Sequence, residues 1–415
     1  MPLGPRLIVA DQVAGTIRIL DLGDGHTTAR LDGRHLAEHA GFLALPGNRL
    51  AFVDDRAGEL LVLDPYGPES GRPVVEHRVP VAVPAEHLAA GPSGRRIAVT
   101  TGLGRNPSAW CDQLTAVDLA AEGGPGAVRV RTRTGEPGVA LCGSPDDPLV
   151  VLRHREPGQL TAYRHTALMD AAPSCPPAEP AFSTPLPDDD GHGDAYDPVT
   201  GWVFAAARSG VHRVRPDGDA LAFGSLLPWA AGGRTGGRGF YLRLDARHRT
   251  LWSCVRGGPS TPERWPDWTN DAWWHHLDSG DVGRLHLGPG LIFRLAVAAD
   301  HVAFSRVHPE GDELILVATS QAAPVVTARL PLLPMAAGPR PGHTPWDGVE
   351  RRAIAASPAA SLVAVSRGGH GEIHVFDAEM AQQTDLLTVP TPLCEGGHLA
   401  LLTPDDRSHL DPIGR

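Results

Sequence analysis

Between residues 6 and 367 the sequence returns eight times to a short apolar run set just after a turn: RLIVADQ, NRLAFVDD, RRIAVTT, PLVVLRH, GWVFAAAR, RTLWSCVR, HVAFSRV and SLVAVSR. A second run follows each copy and often ends in an apolar-Asp pair, as in GTIRILDL, GELLVLDP, DQLTAVDL and GEIHVFDA. From the second copy onward a third run precedes it and closes on a tight turn, as in FLALPGN, HLAAGPSG and AIAASPAAS. Runs this short, bounded by Gly, Pro, Asp and Asn and without a helical period, read as β-strands. Recurrence at a fixed interval marks a fold built by radial repetition of one small sheet.

With 415 residues, the repeat is about 52 residues long, enough for four antiparallel strands per unit. The first apolar run has no strand before it, whereas HLALLTPDD at 398 is left over at the other end. That C-terminal strand is expected to complete the first sheet beside the N-terminal one, so that no long sheet edge stays open. The expectation is an all-β, eight-bladed β-propeller occupying residues 1–415 as a single domain. Seven blades are the alternative if the weaker unit around 190 to 236 is misread.

The turns GPSGRRIAV and SPAASLVAV and the strand-end pairs LD and FD resemble those of the WD40-like and YVTN-type β-propeller superfamily. The resemblance spans nearly the whole chain and implies a fold, without implying an activity. It departs from true WD40 repeats, which pair Gly-His with Trp-Asp in each blade.

Composition removes several function classes. The formal net charge of -11 argues against a surface that neutralises phosphates, so nucleic acid is not an expected partner. All 37 basic residues are arginine, which excludes Schiff-base and P-loop lysines. Five scattered cysteines without a C-x-x-C pair suggest neither a disulfide framework nor structural zinc, and a cytoplasmic location fits. No apolar run is long enough to cross a membrane as a helix, and the first residues lack a signal-peptide pattern. G-x-S-x-G, H-E-x-x-H and P-loop motifs are absent.

In an antiparallel meander the connection into each inner strand and the connection from second to third strand share one end of the blade. Four long segments are assigned to that end: TTGLGRNPSAWCDQ, GGPSTPERWPDWTND, MDAAPSCPPAEPAFSTPLPDDDGHGD and LPLLPMAAGPRPGHTPWDGVE. Loops of this length tend to be functional. One of them runs into RWPDWTNDAWWHHLD, which holds four of the nine tryptophans. Trp265 and Trp268 are expected either to wall a ligand site or to pin the loop down, while Trp273 and Trp274 suit the core between blades.

Histidines stand at or near the start of four inner strands: His39, His87, His192 and His398. Imidazoles that converge from separate blades can hold a divalent metal ion, the arrangement that iron- and copper-binding propeller enzymes resemble. The alternative is that they bond neighbouring blades or line a wet channel. Arg294 and Arg352 occupy equivalent strand starts and are candidates for an anionic group, or for ion pairs with the acidic run Asp188, Asp189, Asp190 and Asp194. That run is also a candidate for calcium or for a solvated loop. The functional expectation is a protein that binds a small molecule or peptide at this end, in the extreme case a metal-assisted enzyme of specialised metabolism. The competing expectation is a non-catalytic scaffold whose Trp-bearing loops dock another protein.

Overall fold

Each apolar run of the repeat is a strand flanked by protein on both faces. Arg6–Asp11, Pro148–His154 and His301–Val307, second strands of their sheets, are buried at every position, which is why they read as continuous apolar runs and not as alternating ones. The outer strands differ. Val74–Pro80 and Val325–Leu332 alternate exposed and half-buried residues along most of their length, with Glu76, Arg78, Thr327 and Arg329 among them. Buried inner strands and a half-exposed outer strand are what blades packed face to face require.

The computed structural model describes residues 3–67, 71–102, 108–155, 157–186, 193–218, 220–319 and 323–404, and the backbone of Pro412 and Ile413. Its sheets are eight, all antiparallel and each built on four strands, and the fold is an eight-bladed β-propeller. In seven blades the four strands follow one another in sequence. The first blade takes its inner strand, His398–Leu402, from the far end of the chain, with Arg6 opposite Leu402 and Ala10 opposite His398. The segment around 190 to 236 does form a blade of its own, from Asp194–Tyr196, Val203–Ala206, Gly210–Asp217 and Ala220–Phe223, so the number is eight and not seven.

The apolar-Asp signature has a local cause. Asp21, Asp64, Asp118 and Asp377 end third strands, and each carboxylate accepts an amide two residues on: Gly23, Tyr66, Ala120 and Glu379, at 2.8 to 3.0 Å. The aspartate therefore closes the turn into the outer strand. The turn between the first two strands of the third blade uses Gly94 at φ 65°, a conformation that glycine adopts without a Cβ penalty.

By internal contacts the described chain divides into two compact units, one comprising Met1–Arg34 and Trp229–Asp406, the other His35–Pro228, with short C-terminal pieces assigned to each. In the first unit lie the sixth, seventh, eighth and first blades. Their cores are sandwiched between adjacent sheets, as where Trp252 and Leu287 of the sixth meet Leu295, Phe304 and Ile315 of the seventh. In the second unit, Leu43, Val53 and Val62 of the second blade pack on Leu88, Ile97 and Val99 of the third.

One long segment is corrected by the topology. The third strand of the fourth blade, Gln159–Arg164, leads into the helix His165–Met169 and returns only at the outer strand Phe182–Pro185, paired Gln159 to Pro185 and Ala162 to Phe182. The first half of MDAAPSCPPAEPAFSTPLPDDDGHGD, residues 169–181, thus connects the third strand to the outer one and lies at the end of its own blade opposite the start of the inner strand. A four-residue edge strand ending in proline inside a Pro-rich stretch carries no alternating signal.

Candidate functional site

In the second unit, three connections that meet the starts of inner strands bring ionisable groups together. Asp54 ends the strand Arg49–Asp54, and its Oδ1 accepts the amides of His35, Arg56 and Ala57, which fixes the turn around it. Asp55, the next residue, is half-buried, and its Oδ1 accepts the amide of Ala85, first residue of the inner strand Ala85–Ala90. Glu86 follows on that strand and lies 3.1 Å from Nδ1 of His39. Burial raises the Asp55 carboxyl above its ordinary range, the Asp54 and Glu86 charges add to the rise, and the Ala85 amide and His39 oppose it. His39 is largely exposed, so its contact with Glu86 contributes little to stability.

The remaining expected site residues are placed as follows. His87 is buried next to Glu86, opposite Thr100 where the register shifts. Asp194 opens the inner strand of the fifth blade and receives Arg153 through two bonds of 2.8 and 3.0 Å, a bidentate pair with both side chains at most 9 % exposed. His398 is buried at the head of its strand in the first unit. His192 and the run Asp188, Asp189 and Asp190 lie outside the described residues. Among the described residues, no group of three or more His, Cys, Asp and Glu side chains is arranged to hold a metal ion.

In the first unit, Arg352 is engaged by the protein itself. Its Nε and Nη2 bond Oδ2 of Asp312 at 2.9 and 2.7 Å, Nη1 reaches the Ser366 carbonyl at 3.3 Å, and Nη2 also meets the Leu333 carbonyl. Arg294 is half-buried within a register shift of the inner strand Leu291–Val297. Trp265 is fully enclosed and donates its indole N–H to the Arg340 carbonyl at 3.3 Å. Trp268, 5 % exposed, donates to the Pro259 carbonyl at 2.8 Å and stacks on Trp346 with ring centres 6.0 Å apart. Together with Leu291, Phe293, Val307 and Met335 they tie the insertion 258–268 to the insertion 333–353. Trp273 is buried edge-on to Trp229, and Trp274 packs with the core shared by the sixth and seventh blades.

Two residues of the same end escaped the sequence reading. Asp55 stands in a plain Asp-Asp pair and Glu86 in an unremarkable AEH, and only the pairing of Ala85 with Asp55 brings them into one cluster. A third, Arg256, ends the strand Thr250–Gly257 and lies over the rings of Phe240 and Trp268, at 4.3 and 4.7 Å from their centres. Nothing in the local sequence marks it.

No family model matches the chain, and no curated protein sequence is detectably similar to it. Similarity to solved structures is extensive. Apo AztD from Citrobacter koseri superposes with a TM-score of 0.65 at 12 % identity, over 96 % of this chain and 97 % of that one. The dihydro-heme d1 dehydrogenase NirN, solved in complex with DHE, gives 0.56 at 15 % identity, over 98 % of this chain and 78 % of that one. A functionally unknown protein from Desulfotomaculum acetoxidans gives 0.50 at 10 %, over 78 % and 95 %. At such identities the shared property is the propeller fold, which hosts unrelated activities.

Proposed function

We propose that the protein binds a small molecule at the end of the blades where the inner strands begin, and that Asp55, Glu86 and His39 belong to the binding surface. The observation that carries this reading is the cluster itself: Asp55 accepts the Ala85 amide, Glu86 next to Ala85 lies 3.1 Å from His39, and burial with the Asp54 and Glu86 charges raises the Asp55 carboxyl. Ionisable groups kept in unfavourable surroundings are a mark of sites that handle ligands or protons. The cluster is acidic and the whole chain carries a formal charge of -11, so a cationic or hydrogen-bond-donating group suits it. A metal-assisted form of this reading would rest on His87, with His192 outside the described residues. The scaffold reading is less favoured, because Trp265 and Trp268 face inward in this structure.

The test is Asp55→Asn. The variant keeps an Oδ1 acceptor for the Ala85 amide and loses only the charge. A raised carboxyl in the folded state penalises folding wherever it is ionised, so the variant is expected to melt higher than the wild type at pH 7, and the gain fades as pH falls into the carboxylate range. Hits from a thermal-shift screen of small amines and guanidines are expected to bind the variant at least about tenfold more weakly, as loss of a charged hydrogen-bond partner implies. Higher stability with unchanged affinity removes Asp55 from the site. Metal analysis of the purified wild type and of His87→Ala, His192→Ala separates the metal-assisted form from simple binding.

A further inference from the structure

We propose that Arg256 and Tyr241, on the sixth blade, form a subsite for the carboxylate of a small organic acid. This inference is independent of the acidic cluster around Asp55. It starts from an unusual stack. Arg238 lies 5.0 Å from the centre of the Phe240 ring, Arg256 lies 4.3 and 4.7 Å from the centres of the Phe240 and Trp268 rings, and Trp268 stacks in turn on Trp346. With two rings within 4.7 Å of its guanidinium carbon, Arg256 has its N–H groups left for polar partners. Nη2 donates to the Ile292 carbonyl at 3.0 Å, Nε is enclosed without an acceptor, and Nη1 meets no acceptor among the described residues and is not shut off from solvent.

Among the described residues Arg256 makes no ion pair, whereas Arg352, Arg153, Arg284 and Arg306 each hold a carboxylate within 3.0 Å. A half-buried guanidinium without a protein carboxylate keeps its charge free to attract an anion. Burial pushes its pKa down only to about 10, so the charge persists at neutral pH.

The second observation is in the backbone. Tyr241 sits in the inner strand Arg238–Asp245 at φ 62°, in a register shift between Phe240 and Arg243. A bulky side chain in the left-handed region is strained, and such outliers concentrate at functional sites. Its hydroxyl makes no hydrogen bond with the described residues, and the ring is near enough to Arg256 to interact with it electrostatically. That leaves the phenol O–H of Tyr241 without a partner among the described residues, on the strand that pairs with the one bearing Arg256. A carboxylate offers one oxygen to each donor. A phosphate would add charge against the overall field of the protein.

Benzoate is the probe, followed by saturation-transfer NMR and thermal shift on the full chain, with benzamide as the neutral counterpart. The expected result is millimolar binding of benzoate and none of benzamide. Binding is expected to weaken at least about tenfold in Arg256→Leu, to recover in part in Arg256→Lys, and to weaken about threefold or more in Tyr241→Phe. Tyr241→Gly relieves the positive φ, so it should keep or raise the melting temperature while weakening binding, which separates site loss from misfolding. Asp55→Asn should bind benzoate as the wild type does. Equal affinity for benzoate and benzamide, unchanged binding in Arg256→Leu and Tyr241→Phe, or displacement of benzoate by phosphate at lower concentration overturns the assignment. None of those results bears on the Asp55 reading.

Discussion

Replacing Asp312 by alanine leaves the Arg352 guanidinium buried with two carbonyls and no counter-charge. The Arg352 side chain is 1 % exposed and that of Asp312 9 %, and two of the bonds between them are 2.9 and 2.7 Å long. Removing one partner of such a pair costs about 3–5 kcal/mol, because the surviving charge keeps its desolvation penalty and loses its compensation. Arg352→Ala should cost as much, about 3–5 kcal/mol: it leaves the Asp312 carboxylate buried without its cation, only partly relieved by the His308 amide at 3.2 Å, and frees the Leu333 and Ser366 carbonyls. In the double variant neither charge remains, so the total should fall short of the sum of the singles by about 2 kcal/mol or more. Urea unfolding at pH 7, followed by tryptophan fluorescence and circular dichroism, measures all three variants. The coupling should persist in 1 M salt, since the pair is shielded from solvent ions. Single variants within 1 kcal/mol of the wild type, or strictly additive costs, would refute the account of a buried, mutually dependent pair.

Two further outcomes follow from buried titratable groups. Burial, with help from the charges of Arg133 and Arg153, pushes His154 down to about 3, so between that value and the ordinary histidine range the unfolded chain holds a proton that the folded chain lacks. Stability is therefore lost as pH falls through that window, with unfolding favoured up to tenfold per pH unit; His154→Gln should flatten the limb by nearly one proton, and an unchanged slope would count against this group. Cys142 and Cys254 are buried with thiols pushed up to about 12, whereas Cys394 is exposed. Iodoacetamide at pH 8 should label Cys394 in the native protein and reach Cys142 and Cys254 only after unfolding, as peptide mass spectrometry will show.

The blades were legible because their second strands are buried on both faces, which writes an uninterrupted apolar run such as PLVVLRH into the sequence, and because the third strands end on turn-closing aspartates. The outer strand Phe182–Pro185 was not legible, since its few ladder bonds need no apolar pattern, and one long connection was assigned to the wrong end. Site chemistry was harder still. Arg352 carries the right residue type at the right position, yet Asp312, forty residues away, takes its charge. Arg256 and Tyr241 owe their surroundings to a register shift and to rings from the paired strand and from the insertion that follows, and neither leaves a periodic trace. Trp265 shows the same limit from the other side: its density in the sequence was evident, and its direction was decided by Arg340 and Met335 in another loop.

The pairing of His398–Leu402 with Arg6–Asp11 also sets a timetable for synthesis. Arg6–Asp11 leaves the ribosome nearly four hundred residues before its partner His398–Leu402, so its inner edge stays an open template while every other blade can assemble from neighbours in sequence. Until that final hairpin-free closure, a nascent chain is vulnerable to trapping by any passing strand, and the closing step, more than the stability of any single blade, should govern how cleanly the protein emerges.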